Sequence, residues 1–175
     1  MSYHLIIQYP YETIQIALCQ NGIILDSVIE HKFQAIALTI PHMQQLLTNN
    51  NLTLNDISFI GINKGPAPYN TLRALLSMVN GVHFVNKTPL VELTALELLE
   101  KELNKKHSLI VLKAFINHIF YRYKNENSFQ ENATSIEELI NFINQQPHQL
   151  TIAGNGALEY QKILTLQTDK LIFPA

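Results

Sequence analysis

An Asn-Gly pair at residues 21 and 22 separates two apolar runs near the start of the chain, "ETIQIALCQ" and "GIILDSVIEH". This pair is the strongest short-range signal of a β-hairpin, because both residues tolerate a positive φ angle. A third apolar run, "YHLIIQYP", comes before them and ends at Pro10. The pattern therefore predicts that the chain opens with three antiparallel strands.

A helix and a buried strand are predicted next. In "FQAIALTIPHMQQLLTN", residues 33 to 49, helical spacing places four apolar residues on one side, with Pro41 expected to kink the helix or start a second turn. These four are Ile36, Ile40, Met43 and Leu47. The run "ISFIGIN" that follows is typical of a buried parallel strand.

A second helix is predicted in "NTLRALLSMVNGVHFV", with Asn70 as its cap. It carries two stripes, one wide and apolar, the other of smaller groups. The wide stripe consists of Leu72, Leu75, Leu76, Val79 and Val82, and the second of Ala74, Met78 and Gly81. A short strand, "TPLVEL", and a third helix, "TALELLEKELNKK", complete an α/β unit over residues 1 to 104.

The second half, residues 105 to 175, partly repeats this order. Two strands, "SLIVLKAF" and "HIFYRYKN", precede a helix that Ser135 and Glu138 cap as in a capping box. The run "QLTIAGNG" then predicts a strand ending in a glycine turn, followed by "ALEYQKILTL". The pattern indicates a duplicated architecture with a shortened second half.

Charge and composition limit the partners. The chain has 12 Lys and Arg against 14 Asp and Glu, a formal charge of −2, so no basic field attracts nucleic acid or an anionic membrane. The single cysteine, Cys19, excludes an internal disulfide and suits a reducing compartment. No apolar run approaches the ~18 residues of a membrane span, and we expect a cytoplasmic protein that meets nucleic acid only through a partner.

No catalytic residues, metal site or cofactor are predicted from motifs. None of the seven histidines stands three or four residues from another, as two ligands on one helix face would. There is also no Gly-x-Ser-x-Gly elbow, Cys-x-x-Cys pair or Walker-type Gly-Lys-Ser/Thr.

The stretch from Lys64 to Arg73, "KGPAPYNTLR", lies where a glycine turn before a helix often cradles a phosphate. Proline has no N–H, so Pro66 and Pro68 remove two donors from this turn. Arg73 is interpreted either as a solvated or locally paired side chain or, less favoured, as a ligand contact. Gly65 and its neighbours therefore form a degenerate nucleotide loop.

The order of elements and the residues resemble the bacterial TsaB (YeaZ) family over most of residues 3 to 160. The likeness is specific in residues 61 to 99 and weak in the second half. The family's Asp-Thr-Ser, His-Ser, Leu-Pro, Gly-Pro-Gly-Ser-Phe-Thr-Gly-Leu-Arg and Asp-Ala-Arg motifs correspond here to Gln8-Tyr9-Pro10, His31-Lys32, Ile40-Pro41, the loop from Gly65 to Arg73, and Lys113-Ala114-Phe115. The segment "IAGNGALEY" resembles a Gly-Asp-Gly-Ala segment of the family.

The resemblance implies an actin-like, sugar-kinase-like (ASKHA, ribonuclease H-like) α/β fold with two related lobes, the second one reduced. It also implies a noncatalytic scaffold subunit of the system that forms threonylcarbamoyladenosine at position 37 of tRNA. Such a subunit binds the homologous catalytic subunit TsaD, meets the ATPase TsaE and tRNA through the complex, and can homodimerise when alone. We expect Ile36, Ile40, Met43 and Leu47 of the first helix, with Ala74, Leu75, Met78, Val79 and Val82 of the second, to bind the partner.

The alternative is a small ASKHA kinase or nucleotide hydrolase. It would need an acidic residue at the end of the first strand and backbone donors in the glycine turn. Gln8 is uncharged and cannot balance a divalent cation as a carboxylate would, and Pro66 and Pro68 supply no donors. A peptidase has no support, because neither a metal-binding histidine pair nor a nucleophile with a base is visible.

Overall fold

The structure is a computed structural model that describes residues 2–9, 13–114, 117–126 and 128–174, without the side chains of Lys32 and Phe33. It forms two compact units, Met1–Thr94 and Ala95–Ala175. The sequence interpretation divided the chain after residue 104, whereas the structure assigns the helix that begins at Ala95 to the second unit. No helix in the described part of the chain is long and apolar enough to cross a membrane.

The first unit is a five-stranded sheet with two long helices. Its elements are β1 (Tyr3–Gln8), β2 (Thr13–Gln20), β3 (Ile23–His31), α1 (Lys32–Asn49), a 3-10 turn (Leu54–Asp56), β4 (Ile57–Asn63), α2 (Tyr69–Asn86) and β5 (Leu90–Leu93). The strand order is β3-β2-β1-β4-β5. The pairs β1–β2 and β2–β3 are antiparallel, while β4 is parallel to β1 and to β5. The three predicted opening strands are confirmed, and Asn21 and Gly22 have φ angles of 52° and 79° in the hairpin turn.

Both predicted long helices are present, and one detail of the second differs from its prediction. α1 contains Pro41 within a single helix from Lys32 to Asn49. α2 has Pro68 as its N-cap, so the predicted cap at Asn70 is wrong. The reason is that the N–H of Leu72 donates to the carbonyl of Pro68 over 2.9 Å, which places Asn70 inside the first turn.

One face of the first sheet and the two helices share a core. Alternate strand residues such as Leu5, Ile16 and Ile60 are fully buried there, because side chains two apart in a strand point to the same face. Leu75 and Val79 of α2 pack into the same cluster. The helices are therefore held by the sheet, with their opposite surfaces left outside this core.

The second unit repeats the sheet order of the first. Its elements are α3 (Ala95–Leu103), β6 (His107–Lys113), β7 (His118–Asn125), β8 (Ser128–Ser135), α4 (Ile136–Asn144), β9 (Leu150–Ala153), α5 (Asn155–Glu159), α6 (Gln161–Gln167) and β10 (Leu171–Ile172). The strand order β8-β7-β6-β9-β10 corresponds to β3-β2-β1-β4-β5. α3 packs on one face, where Leu96 meets Ile110 and Leu112, and α4 contributes to the separate core of the other face. The predicted capping box of Ser135 and Glu138 is confirmed.

Candidate partner-binding surface and the degenerate loop

α1 turns two apolar side chains outward beside the ones that it buries. Ile36 and Ile40, one turn apart, are 43% and 38% exposed. Met43 and Leu47, predicted to face a partner with them, are only 3% and 5% exposed and belong to the core. The predicted stripe is therefore split, because a helix period groups these residues without telling which of them the sheet covers.

α2 divides in the same way. Leu75 and Val79 are each 1% exposed, so the structure corrects their assignment to a partner surface and places them in the core. Ala74, Met78 and Val82 are half-buried.

Sequence reasoning missed two exposed apolar residues near the end of α2. Phe84 and Val85 are 74% and 82% exposed. The apolar run "VHFV" was part of the predicted helix and was the available signal. We define the helix surface as seven of the exposed or half-buried apolar residues of both helices: Ile36, Ile40, Ala74, Met78, Val82, Phe84 and Val85.

A groove of about 490 Å³ lies between α1 and α2. Its lining is formed by Ile40, Met43, Gln44, Leu47, Thr48, Leu52, Thr53, Leu54, Asn55, Val82 and Asn86. These side chains are apolar or carry neutral amides and hydroxyls, and none is charged. The groove therefore continues the helix surface as a neutral, mainly apolar depression suited to another protein's apolar side chains.

The degenerate loop uses its own groups to hold its shape. The N–H of Gly65 donates to Asn63 Oδ1 over 3.0 Å, and the N–H of Lys64 donates to the carbonyl of Leu93 over 2.8 Å. Pro66, joined to Gly65 by a cis peptide bond, has no N–H, and neither has Pro68. Four of the five backbone positions from Lys64 to Pro68 thus either donate within the protein or have no N–H.

The charged side chains of the loop have local partners. Lys64 Nζ lies 2.9 Å from Glu92 Oε1, and the guanidinium of Arg73 lies 5.1 Å from the ring centroid of Tyr69. Gln8, at the end of β1, donates to Gln15 Oε1 over 2.6 Å. The contact with Tyr69 thus favours the interpretation of Arg73 as a locally paired side chain. The Gln8 amide is hydrogen-bonded to the neighbouring strand β2.

The corresponding turn of the second unit is closed by close packing. A Cβ on Gly154 would lie 2.3 Å from the carbonyl oxygen of Val111, and one on Gly156 would lie 3.0 Å from the backbone of Leu112 and Lys113. Asn155 Oδ1 accepts the N–H of Lys113 over 3.0 Å. These glycines therefore let the turn and the start of α5 pack closely against β6.

Two predicted motif residues, Pro10 and Phe115, lie outside the described residues. Lys113 belongs to the same motif as Phe115 and is described. Its Nζ lies 2.8 Å from Glu159, and the hydrogen bond to this carboxylate holds the pKa of the lysine above its usual value. Across the described ranges, no group of three or more His, Cys, Asp and Glu side chains could hold a metal ion.

Comparison with curated proteins finds a related sequence. The chain is 22% identical over 148 residues to the tRNA threonylcarbamoyladenosine biosynthesis protein TsaB of Buchnera aphidicola, a match that covers 77% of this chain and 70% of that protein. No family model matches the chain.

Comparison with solved structures shows the fold. YeaZ from Pseudomonas aeruginosa superposes with a TM-score of 0.73 at 18% identity, covering all of this chain and 85% of that one. The ethanolamine utilization protein EutJ from Carboxydothermus hydrogenoformans gives 0.60 at 9% identity, over 99% of this chain and 85% of that one. The fold is thus the actin-like, sugar-kinase-like (ASKHA) α/β fold with two related lobes, as expected.

Proposed function

We propose that the chain, a divergent relative of the TsaB (YeaZ) proteins, is a noncatalytic scaffold subunit in the formation of threonylcarbamoyladenosine at position 37 of tRNA. In this role it binds a homologous, TsaD-like catalytic subunit. A TsaE-like ATPase and tRNA meet it only through the complex, which works in the cytoplasm.

The helix surface is the observation that carries the scaffold proposal. Phe84 and Val85 of α2 and Ile36 of α1 are large apolar side chains, each more than two-fifths exposed. Exposed apolar and aromatic residues of this kind, on two helices that also form a neutral groove, are typical of the core of a protein interface. Burying them against equivalent helices of a related subunit removes them from water without requiring any charged partner group.

The state of the phosphate-binding elements supports a noncatalytic role. The loop from Gly65 to Pro68 offers few free donors, and Gln8 replaces the carboxylate that would support a bound cation. Rate acceleration in phosphoryl transfer depends on positioned donors and metal ions. With both weakened, the chain contributes shape and surface while the partner performs the chemistry.

Depletion in the source cell tests this role. We expect loss of the chain to lower threonylcarbamoyladenosine in digested tRNA, measured by mass spectrometry, and the parent chain to restore it. A Lys64→Ala/Arg73→Ala variant should restore it equally, whereas Val85→Glu should not. Normal levels of the nucleoside after depletion would contradict the proposed function, and failure of the loop variant alone would contradict its noncatalytic part.

A further inference from the structure

The β3 strand combines features that favour association with another strand. It is nine residues long, lies at the edge of the first sheet, and exposes Ile23, Ile24 and Ile29 by 66%, 63% and 64%. An edge strand presents backbone N–H and C=O groups on its outer side and can template the addition of another strand. Neither lysine nor proline, the common protective residues, occurs within it.

Two carboxylates occupy backbone donors along this edge. Asp26 Oδ1 accepts the N–H of Ser27, and Glu30 Oε1 accepts the N–H of His31, each over 2.8 Å. In an antiparallel pair, successive residues alternate between directing their backbone groups at the neighbouring strand and away from it. Ser27 and His31 are four residues apart, so their N–H groups point to the same side of β3. Because these N–H groups donate to carboxylates and not to β2, that side is the one facing away from β2.

Both carboxylates also have partners on α1 or directly after it. Asp26 Oδ2 accepts from Asn50 Nδ2 over 3.2 Å, and Glu30 Oε2 lies 3.3 Å from His42 Nε2. The second oxygen of each acid thus has a partner on or just after the helix, while the first caps an edge donor. This double attachment keeps the caps in place against exchange with water.

The pairing register adds a third protective feature. Asp26 pairs with Leu18 and Ile24 with Cys19, so Leu25 is an extra residue that forms a bulge in β3. Bulges bend and twist a strand, which disturbs the regular row of groups that an added strand needs.

The corresponding edge strand of the second unit is protected differently. β8 occupies the same place in the same sheet order, and the N–H of Ala133 donates to Asn132 Oδ1 over 2.8 Å. Its sequence, "SFQENATS", is mostly polar, so it offers a partner strand little apolar area. β3 has no such polarity and depends on its caps and bulge.

We propose that Asp26 and Glu30 guard β3 against strand addition by a second copy of this chain. A second β3, antiparallel and centred on Ser27, would set Leu25 opposite Ile29 and no acidic residue opposite another acidic residue. Apolar cross-strand pairs of this kind favour pairing, so the edge is self-complementary once the capped donors are released. This role is independent of the proposed function, because the helix surface takes no part in it.

The test compares two double variants in a chain that carries Val85→Glu, which blocks association through the helix surface. Asp26→Ala/Glu30→Ala removes the caps, whereas Asp26→Asn/Glu30→Gln keeps a carbonyl oxygen at each position. Analytical ultracentrifugation should show the alanine variant dimerising with a dissociation constant at least about tenfold lower than that of the background chain, the equivalent of one net hydrogen bond. The amide variant should behave like the background.

Amide hydrogen exchange locates the contact. Backbone amides of Leu25 and Ile29 should exchange more slowly as the concentration of the alanine variant rises, and adding Ile29→Lys should abolish the dimer. An alanine variant that stays monomeric while still folded, an equal dimer in the amide variant, or a dimer without slower exchange in β3 would each overturn the proposal.

Discussion

Gln8 and Gln15 are joined by a hydrogen bond of 2.6 Å between their side-chain amides, across the antiparallel pair of β1 and β2. This places a neutral, engaged amide at the end of β1, where a nucleotide-binding relative would need an acid. The Gln8 amide and the loop from Gly65 to Pro68 therefore give the first unit the fold of a kinase without the groups that a kinase needs to bind phosphate and a cation.

Nucleotide binding is therefore expected to be absent. Calorimetric titration of the chain with ATP and magnesium should show no saturable heat, because Gly65 donates within its own loop and Gln8 offers no carboxylate to a cation. Clear binding that disappears when residues 64 to 73 are changed would support the kinase or hydrolase alternative.

The buried ion pair of the second unit should be important for stability. Glu100 of α3 and Arg122 of β7 are 6% and 7% exposed, with Arg122 Nε 3.2 Å from Glu100 Oε2. Replacing Arg122 by methionine removes its charged hydrogen bonds to Glu100 and Glu131 but leaves Glu100 paired with Lys124, and we expect a loss of about 1.5–3 kcal/mol in the free energy of unfolding. Lys101→Met, which breaks the exposed ion pair between Lys101 and Glu97, should change the free energy of unfolding by no more than about 0.5 kcal/mol.

Urea denaturation of the two variants measures this difference. If both variants lose the same free energy of unfolding, or if Arg122→Met is as stable as the parent chain, the buried ion pair contributes no more to stability than the exposed one.

Acid should weaken the same cluster. Burial raises the pKa of Glu100, but the hydrogen bonds and charges of Lys124 and Arg122 outweigh it, and the pKa lies below the ordinary value of 4.5. A lowered pKa in the folded state means that the ionised group stabilises the fold above pH 4.5, and that this stabilisation is lost as the pH falls through the folded pKa.

The unfolding free energies of the parent chain and Glu100→Gln should thus converge below pH 4.5. A gap that stays constant or widens on acidification would contradict the assigned ionisation.

Two glycines should respond oppositely to alanine. Gly154 has a φ of 108°, and a Cβ there would lie 2.3 Å from Val111 O, so Gly154→Ala should destabilise the second unit by at least about 2 kcal/mol. Gly81 lies inside α2 with open space around a Cβ, and Gly81→Ala should raise stability by about 0.5–1 kcal/mol. Thermal unfolding of both variants measures the two effects, and a neutral Gly154→Ala would contradict the close approach of α5 to β6.

Local signals predicted the first unit well. Asn21 and Gly22 determine a turn through their own φ angles, so the three opening strands needed no information from distant residues. β8 escaped prediction because "SFQENATS" shows no apolar alternation, and pairing with β7 alone makes it a strand. The opening strands of the first unit are therefore determined by local sequence, whereas β8 at the edge of the second sheet is determined by its pairing with β7.

The partner surface was only partly predictable. Periodicity groups Leu75 with Ala74, Met78 and Val79, but the position of the sheet decides that Leu75 and Val79 are buried. Phe84 continues the apolar run but is exposed. Its exposure depends on how α2 lies against the sheet, which the local sequence pattern does not specify.

The most direct test of the scaffold account is the affinity of the chain for its homologous TsaD-like subunit, measured by calorimetry with two matched variants. Val85 and Leu166 are 82% and 85% exposed, but only Val85 belongs to the helix surface. We predict that Val85→Glu weakens binding by about 10- to 100-fold, as expected for an interface hot spot, while Leu166→Glu stays within about twofold of the parent. Absence of binding by the parent chain, or equal affinities for all three proteins, would contradict the account.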